Sequence, residues 1–250
     1  MKKLKRVIPF IILFIAWFIK SRYSNPLFFP KPEKVFLSFI ELLMNGQLLE
    51  SSKASFLRIT VATFLCAGVS LPLGLLVYRF KLVDDLITPL TNVMRYWPVT
   101  AFMPLLMAWF GIDEQMKIMF LFLAMIFYFL PSVILCIKDV SQDLIDTSLT
   151  MGMSNAHLIL KVILPASLPG ICQLFLLMYG IGWTYVIIAE VINANSGLGS
   201  MMHLAGNRGR TDLIFVGLFT ILIISYVFDT LGKLIIKKAF KWKYANEVED

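Results

Sequence analysis

The chain has 250 residues, of which 58% are hydrophobic and 16% charged, and its mean hydropathy is +0.79. Soluble domains contain about 45–50% apolar and 25% charged residues, so this composition excludes a soluble globular domain and predicts a polytopic, all-α membrane protein. The net charge of +7 suggests nucleic-acid binding at first sight. The basic residues cluster at the ends of apolar runs, however, which indicates membrane topology and no nucleic-acid partner.

Six apolar segments are long enough to cross a bilayer, which takes about 20 residues in a helix. They lie near residues 7–21, 56–78, 89–110, 116–137, 171–192 and 213–236. Placing the N-terminus inside puts more Lys and Arg on the inner side, so the positive-inside rule favours two cytoplasmic termini. No small-residue cleavage site follows the opening MKKLKRVIPFIILFIAWFI, so we interpret this stretch as an uncleaved first helix.

The first outer loop, residues 20–55, has apolar residues at helical spacing from Val35 to Met44. This spacing predicts a helix that lies along the membrane surface. The second span carries Ser70 and Gly74 four residues apart, and small residues at that spacing let two helices approach closely in lipid.

The third predicted span contains Arg95, Pro98 and Pro104. Its strongly apolar residues contribute about −3 kcal/mol to membrane insertion, and a central arginine costs about 2.5–3.5 kcal/mol, so the two terms nearly cancel. We therefore expect this span to pack against other helices, with a broken backbone that lines a cavity or a subunit interface. Arg95 is then a candidate for the translocation path, and the alternative is an arginine that snorkels to the inner face.

A polar stretch from Asp143 to Pro169 separates the fourth and fifth spans. Its apolar residues recur at helical spacing and predict one apolar face on each of two short helices; they are Leu144, Ile145, Leu149, Leu158, Ile159 and Val162. Gly152 can end the first helix in a left-handed conformation, and Ser154 can cap the second by accepting a hydrogen bond from a backbone N–H. We expect the second helix to stop at Leu164-Pro165, and this shape suits docking onto another protein.

This polar stretch resembles the cytoplasmic loop of bacterial ABC importer permeases, whose pattern is E-A-A, three residues, G, nine residues and I-x-L-P. Gly152 and Leu164-Pro165 match its second half, and Asp146-Thr147-Ser148 stand where the family has E-A-A. In the family this loop is the coupling helix, which sits in a cleft of the ATP-hydrolysing subunit. The resemblance thus assigns the following residues to ATPase coupling: Asp146, Thr147, Ser148, Gly152, Ser154, Leu164 and Pro165. The alternative is an ordinary interfacial amphipathic helix.

Further motifs along the chain resemble the nitrate, sulfonate and taurine permeases. They are Phe29-Pro30-Lys31-Pro32, Trp109-Phe110-Gly111-Ile112 with Lys117, Gly182-Trp183, Ala189-Glu190, Ser196-Gly197-Leu198-Gly199, and Arg208 with Thr211-Asp212. Trp183 and Glu190 join Arg95 as candidates for the translocation path. Glu190 lies near the outer end of its span, where it can line the cavity, contact a binding protein or reach interfacial water.

The resemblance implies a type I ABC importer permease fold and one permease domain, residues 1–250, with a coupling loop at about 139–169. It implies a permease that passes a small solute, an anion such as a sulfonate, taurine or nitrate, from an extracytoplasmic binding protein into the cytoplasm. The implied partners are two copies of an ATPase subunit, the solute-binding protein, membrane lipid and a second permease copy, which leaves homodimer or heterodimer open. The implied location is the plasma membrane of a bacterium.

Catalytic motifs are absent from the sequence. It has no G-x-x-x-x-G-K-[ST] stretch, so we expect ATP and Mg²⁺ to bind to the partner ATPase and no cofactor to bind to this chain. The two histidines lie far apart and the three cysteines show no C-x-x-C spacing, so no metal site and no enzyme is predicted. The alternatives are a secondary transporter, a structural membrane protein and an intramembrane enzyme.

Overall fold

The computed structural model describes residues 2–193 and 195–244, and within these ranges it contains helices and no strand. The α-helices are α1 (Lys2–Tyr23), α2 (Pro32–Met44), α3 (Gln47–Arg79), α4 (Lys81–Met94), α5 (Met103–Phe110), α6 (Glu114–Lys138), α7 (Gln142–Thr150), α8 (Asn155–Leu158), α9 (Leu164–Val191), α10 (Leu198–Asn207), α11 (Thr211–Ala239) and α12 (Lys241–Tyr244). A 3₁₀ turn (Val99–Phe102) precedes α5, and a π-helical segment (Ile159–Ile163) joins α8 to α9.

Four helical segments of the described chain are long and apolar enough to cross a membrane. They are α3, α6, the continuous segment Asn155–Val191, and α11. Each coincides with a predicted span and extends beyond it at one or both ends. The total of six spans stays a prediction.

The third predicted span, residues 89–110, is not one helix. Helix α4 begins at Lys81 and ends at Met94, and the chain then passes through a break into the 3₁₀ turn and α5. Pro98 has no N–H to continue a helix and disfavours helical geometry at the residue before it. Pro104 lies in the first turn of α5, where a proline is tolerated. The broken backbone predicted from these prolines is therefore confirmed.

The helix predicted in the first outer loop is confirmed, as α2, and its position along the membrane surface stays a prediction. Helix α2 begins at Pro32, three residues before the predicted start at Val35. Proline is favoured at the first helical position, because a backbone N–H there would have no hydrogen-bond partner within the helix.

The described chain forms two compact units, whose boundaries lie inside α3, α9 and α11. The first comprises the described parts of residues 1–56 and 190–224. Within it, the Trp17 ring of α1 stacks on Phe215 of α11 with centroids 5.4 Å apart, and Trp17 Nε1 donates a hydrogen bond to the carbonyl of Pro30. These contacts join α1, the outer loop and the start of α11.

The second unit comprises the described parts of residues 57–189 and 225–250. Its α6 is the most deeply buried of the four long apolar segments. A Cβ placed on Gly74 would lie 2.9 Å from Ile137 Cδ1 and 3.1 Å from Val133 Cγ1. Helices α3 and α6 thus cross at a distance that leaves no room for a side chain at Gly74, which confirms the close approach predicted from this glycine.

Candidate functional site: the inner loop and three polar clusters

Helix α7 ends in a Schellman motif, a hydrogen-bonded turn that closes a helix. The Met153 N–H donates to the Ser148 carbonyl at 3.1 Å, and the Gly152 N–H donates to the Leu149 carbonyl at 2.9 Å. This turn requires a left-handed residue, and Gly152 supplies it with φ +79°. The predicted end of the first helix at Gly152 is confirmed.

Asp146, Thr147 and Ser148 lie on α7. Asp146 and Thr147 are exposed, and Ser148 is half-buried. Gln142 Nε2 donates to Asp146 Oδ1 at 3.0 Å, and the Ser148 hydroxyl donates to the Leu144 carbonyl at 2.7 Å. These bonds lie within one helix, so the exposed surface that Asp146 and Thr147 form is available to a partner.

Ser154 occupies the N-cap position of α8, but its hydroxyl does not cap the helix. It pairs instead with His157 Nδ1 at 2.9 Å, which is a side-chain partner. The predicted hydrogen bond from a backbone N–H to Ser154 is therefore wrong. The His157 ring, three residues further along the chain, replaces the backbone N–H as the hydrogen-bond partner of this hydroxyl.

The predicted stop at Leu164-Pro165 is also wrong. Helical structure continues from Asn155 to Val191 across the π-helical segment Ile159–Ile163. In a regular α-helix the Pro165 ring would clash with the carbonyl four residues earlier, and a π turn widens the helix where that carbonyl lies. The proline therefore changes the helix type without ending the helix. Leu164 and Pro165 are both half-buried.

The apolar residues of the loop α7–α8, which is called the inner loop after its predicted orientation, divide between the interior and the surface. Ile145 and Leu158 are buried, with 8% and 5% of their surface exposed. Leu144, Leu149 and Met151 are exposed at 51%, 44% and 81%. The predicted single apolar face of the first helix is therefore only partly buried, and the loop carries apolar side chains on its outer surface.

The three residues predicted to line the translocation path have different surroundings. Arg95 follows the last residue of α4 and is exposed, with its guanidinium 5.3 Å from the Tyr96 ring centroid. Trp183 is 2% exposed, and its buried Nε1 has no hydrogen-bond partner in the part of the chain that the structure describes. The role of these residues in translocation stays a prediction.

Glu190 is fully buried, and its carboxylate lies at the N-terminus of α10 within the first unit. It accepts hydrogen bonds from the Ser55 hydroxyl at 2.7 Å and from the Gly199 N–H at 2.8 Å. A carboxylate is favoured at a helix N-terminus, where backbone N–H groups lack helical partners. A Cβ on Gly197 would lie 2.2 Å from the carboxylate carbon, so only glycine fits there. The structure thus shows a buried anchor for the start of α10, and the three alternatives for Glu190 stay predictions.

Two further charged clusters were not predicted. In the second unit, Arg58 forms a bidentate pair with Glu114, with both N–O distances 2.6 Å, and Lys117 Nζ lies 3.3 Å from the same carboxylate. Arg58 and Lys117 are 4% and 1% exposed. No local pattern marks this cluster, because Arg58 and Glu114 lie 56 positions apart in the chain.

The second cluster lies in the first unit, around Asp212 at the start of α11. Asp212 is 1% exposed. It accepts hydrogen bonds from Ser38 of α2 at 2.7 Å and from Arg210 at 2.7 Å, and Lys34 lies 3.6 Å away. The Thr211-Asp212 motif was the one signal in the sequence that marked this position.

Comparisons with known proteins agree on one family. Residues 68–241 match the family model described as binding-protein-dependent transport system inner membrane component. A Methanocaldococcus jannaschii protein named as an ABC transporter permease is 31% identical, with 92% of this chain and 88% of that protein covered. The taurine transport system permease protein TauC of Escherichia coli is 29% identical, with 93% and 86% covered.

The fold is that of a solved ABC transporter. A chain of the MetNI methionine ABC transporter superposes with a TM-score of 0.65 at 21% identity, covering 78% of this chain and 97% of that chain. The prediction of an all-α, type I ABC importer permease fold is confirmed. The chain belongs to the binding-protein-dependent transport system inner membrane components, the transmembrane permease subunits of ABC importers.

Proposed function

We propose that this permease passes a small anion, such as a sulfonate, from an extracytoplasmic binding protein into the cytoplasm, and that its inner loop α7–α8 docks onto a separate ATPase subunit. Two permeases and two ATPase subunits form the complex, and ATP and Mg²⁺ bind to the ATPase. Closure of the ATPase pair moves the docked loop and opens the permeases outward. ATP must then bind the outward state more tightly than the inward state.

The exposed apolar side chains of the inner loop carry the docking proposal. Leu144, Leu149 and Met151 project from a loop whose turn is held by the Schellman bonds at Gly152. Apolar residues on an exposed surface rimmed by polar side chains are typical of protein interaction sites. The neighbouring Asp146 and Thr147 supply that polar rim.

The relatives support an anionic solute. TauC is named for taurine transport, and a Bacillus subtilis relative, 30% identical over 87% of this chain, is named as an aliphatic sulfonates transport permease. A Leptolyngbya laminosa relative, 26% identical over 68% of this chain, is named for nitrate import. Sulfonates and nitrate are small oxyanions, which arginine recognises well.

The first experiment is gentle solubilisation of the chain from its native membrane, followed by mass spectrometry of the proteins that purify with it. An ATPase subunit in equal copy number is expected. A homo-oligomer without an ATPase, in a detergent that preserves such complexes, would contradict the proposal and favour a secondary transporter.

A matched pair of variants tests the loop itself. Met151→Glu places a charge on the proposed docking surface and should reduce the recovered ATPase at least about tenfold. Met44→Glu is the control, because Met44 ends α2, outside the inner loop, and is 83% exposed, as Met151 is 81% exposed. Equal ATPase recovery from both variants, at equal membrane levels, would exclude this surface from docking.

A further inference from the structure

Helix α4 carries a polar stripe on an otherwise apolar helix. Its polar residues recur every three or four positions, which places them along one side of the helix; they are Lys81, Asp84, Asp85, Thr88, Thr91 and Asn92, with Arg95 directly after the helix. Polar and ionisable residues at membrane depth face protein or a water-filled cavity and avoid lipid. The stripe therefore marks a side of α4 that does not face hydrocarbon.

The C-terminal part of this stripe lines a groove of about 360 Å³ within the second unit, between α4 and α6, through Thr88, Thr91, Asn92 and Arg95. Helix α6 contributes Tyr128, Ser132 and Lys138 to the same groove. Tyr128 and Lys138 lie ten positions apart on α6, so the groove extends about 15 Å along that helix, roughly half the thickness of the hydrocarbon core, which is about 30 Å. Pro131, Ile134 and Leu135 also line it, so its polar groups stand among apolar side chains.

Two basic residues line the groove, and they differ in whether a carboxylate lies beside them. At the inner end, Lys138 Nζ lies 2.7 Å from both carboxylate oxygens of Asp84, and this hydrogen bond holds the pKa of Asp84 below its usual range. Thr88 donates a further hydrogen bond to the same carboxylate. Arg95, in contrast, has no carboxylate partner in residues 2–193 or 195–244, and its guanidinium lies beside the Tyr96 ring. The groove therefore has a net positive end at Arg95.

We propose that this groove binds the anionic group of the solute in transit, with the Arg95 guanidinium as its main contact. A guanidinium presents two parallel N–H donors that match two oxygens of an oxyanion. The side-chain amide of Asn92, which lines the same groove, offers a weaker N–H donor. This inference rests on the proposed anionic solute, and it adds the site in the permease that recognises the charge.

Cysteine labelling tests the groove without knowledge of the solute. Cys66, Cys136 and Cys172 are first replaced by alanine, and Asn92, which is exposed in the groove, is changed to cysteine. The labelling ratio is the rate at which this new cysteine reacts with the anionic sulfonatoethyl methanethiosulfonate, divided by its rate with the cationic trimethylammonioethyl methanethiosulfonate. Arg95→Gln should lower this ratio about tenfold, because removing a unit charge nearby slows the anion and accelerates the cation.

Arg79→Gln is the matched control. Arg79 is exposed and lies over the ring of the following residue, Phe80, at 5.4 Å, as Arg95 lies over Tyr96, but it does not line the groove. Its replacement should change the ratio less than twofold. A ratio that Arg95→Gln leaves unchanged, or that Arg79→Gln lowers equally, would overturn the inference.

Protection experiments separate the solute from a lipid phosphate. Ethanesulfonate should slow labelling of Asn92→Cys in phosphatidylcholine vesicles, with or without phosphatidylglycerol. Protection that requires phosphatidylglycerol and is independent of ethanesulfonate would assign the groove to lipid and overturn the solute site.

Uptake into vesicles that hold the permease, its ATPase and its binding protein completes the test, with taurine, ethanesulfonate and nitrate as probes. Arg95→Gln should reduce uptake at least about tenfold while the binding protein still stimulates ATP hydrolysis, and Arg95→Lys should retain part of the uptake. Normal uptake in Arg95→Gln would overturn the inference and leave the proposed function intact. Uptake of none of these anions by the wild-type complex would overturn the proposed anionic solute and this inference with it, whatever the labelling ratio.

Discussion

Gly152 is required by backbone geometry alone. Its φ of +79° belongs to the left-handed region, and a Cβ built on it meets nothing within 4 Å. A substitution there meets no steric obstacle from neighbours, so its whole effect comes from the backbone conformation. Residues with a Cβ lose about 1–2 kcal/mol in this conformation, β-branched residues most and asparagine least.

We therefore expect Gly152→Val to misplace α8 and to reduce ATP hydrolysis stimulated by the binding protein at least about fivefold, with normal membrane insertion. Gly152→Asn is the control and should retain most of the stimulation, because asparagine tolerates a positive φ. Stimulation by the binding protein is measured for both variants in proteoliposomes. Wild-type coupling in Gly152→Val would count against the role of this turn.

Glu190 offers a second prediction at the scale of single residues. Glu190→Ala removes the acceptor of the Ser55 hydroxyl and the Gly199 N–H and leaves both donors buried. We expect the free energy of unfolding to fall by about 2–4 kcal/mol. The loss should appear as a lower aggregation temperature of the protein in detergent. Glu33→Gln is the control, because its pair with Arg22 is exposed and such pairs contribute about 0–1 kcal/mol. Equal thermal shifts in the two variants would contradict this role of Glu190.

At the scale of elements, Asp212 joins α2 to the start of α11 through Ser38 and Arg210. Asp212→Asn keeps the shape of the side chain and removes the charge that these buried donors surround. The expected loss of stability is about 2–3 kcal/mol, again measured by thermal aggregation.

Asp229→Asn provides the control on the same helix. Asp229 pairs with Lys233 four residues away, and both side chains are substantially exposed, at 40% and 63%. Such a pair contributes about 0.3–0.5 kcal/mol. If Asp229→Asn proved as destabilising as Asp212→Asn, burial would not be what gives Asp212 its importance.

The features that the sequence predicted depend on neighbouring residues. Gly152 ends α7 and Pro98 breaks the third span, because each effect acts within a turn of the chain. The Glu190 contact with Ser55 spans 135 positions, and the Asp212 contact with Ser38 spans 174. No local pattern specifies which distant side chain meets a carboxylate, so these clusters became visible only in the folded chain.

For the whole molecule, composition and hydropathy were enough to predict a helical membrane protein, because the bilayer admits few backbone structures. The resemblance in ordered motifs predicted the family that the comparisons show. Orientation rests on the distribution of Lys and Arg and stays a prediction, as does the single permease domain over residues 1–250.

Two matched cysteines test this orientation. Asn155, at the start of α8, and Asn207, at the end of α10, are both exposed asparagines. In a background without the three native cysteines, a membrane-impermeant maleimide added to intact cells should label Asn207→Cys and spare Asn155→Cys. Inverted vesicles should give the opposite pattern. Labelling of Asn155→Cys in intact cells would place the inner loop outside and remove the basis for ATPase docking.

The π-helical junction at Ile159–Ile163 makes α8 and α9 parts of one continuous helical segment. The segment Asn155–Val191 has 37 residues, which corresponds to a length of about 55 Å at 1.5 Å per residue. A rod of that length moves its far end by about 1 Å for every degree that its near end tilts. Had Pro165 ended the helix, a flexible joint would absorb that motion. A proline that widens a turn without cutting it lets a small rotation of α8 become a displacement at the opposite end of α9.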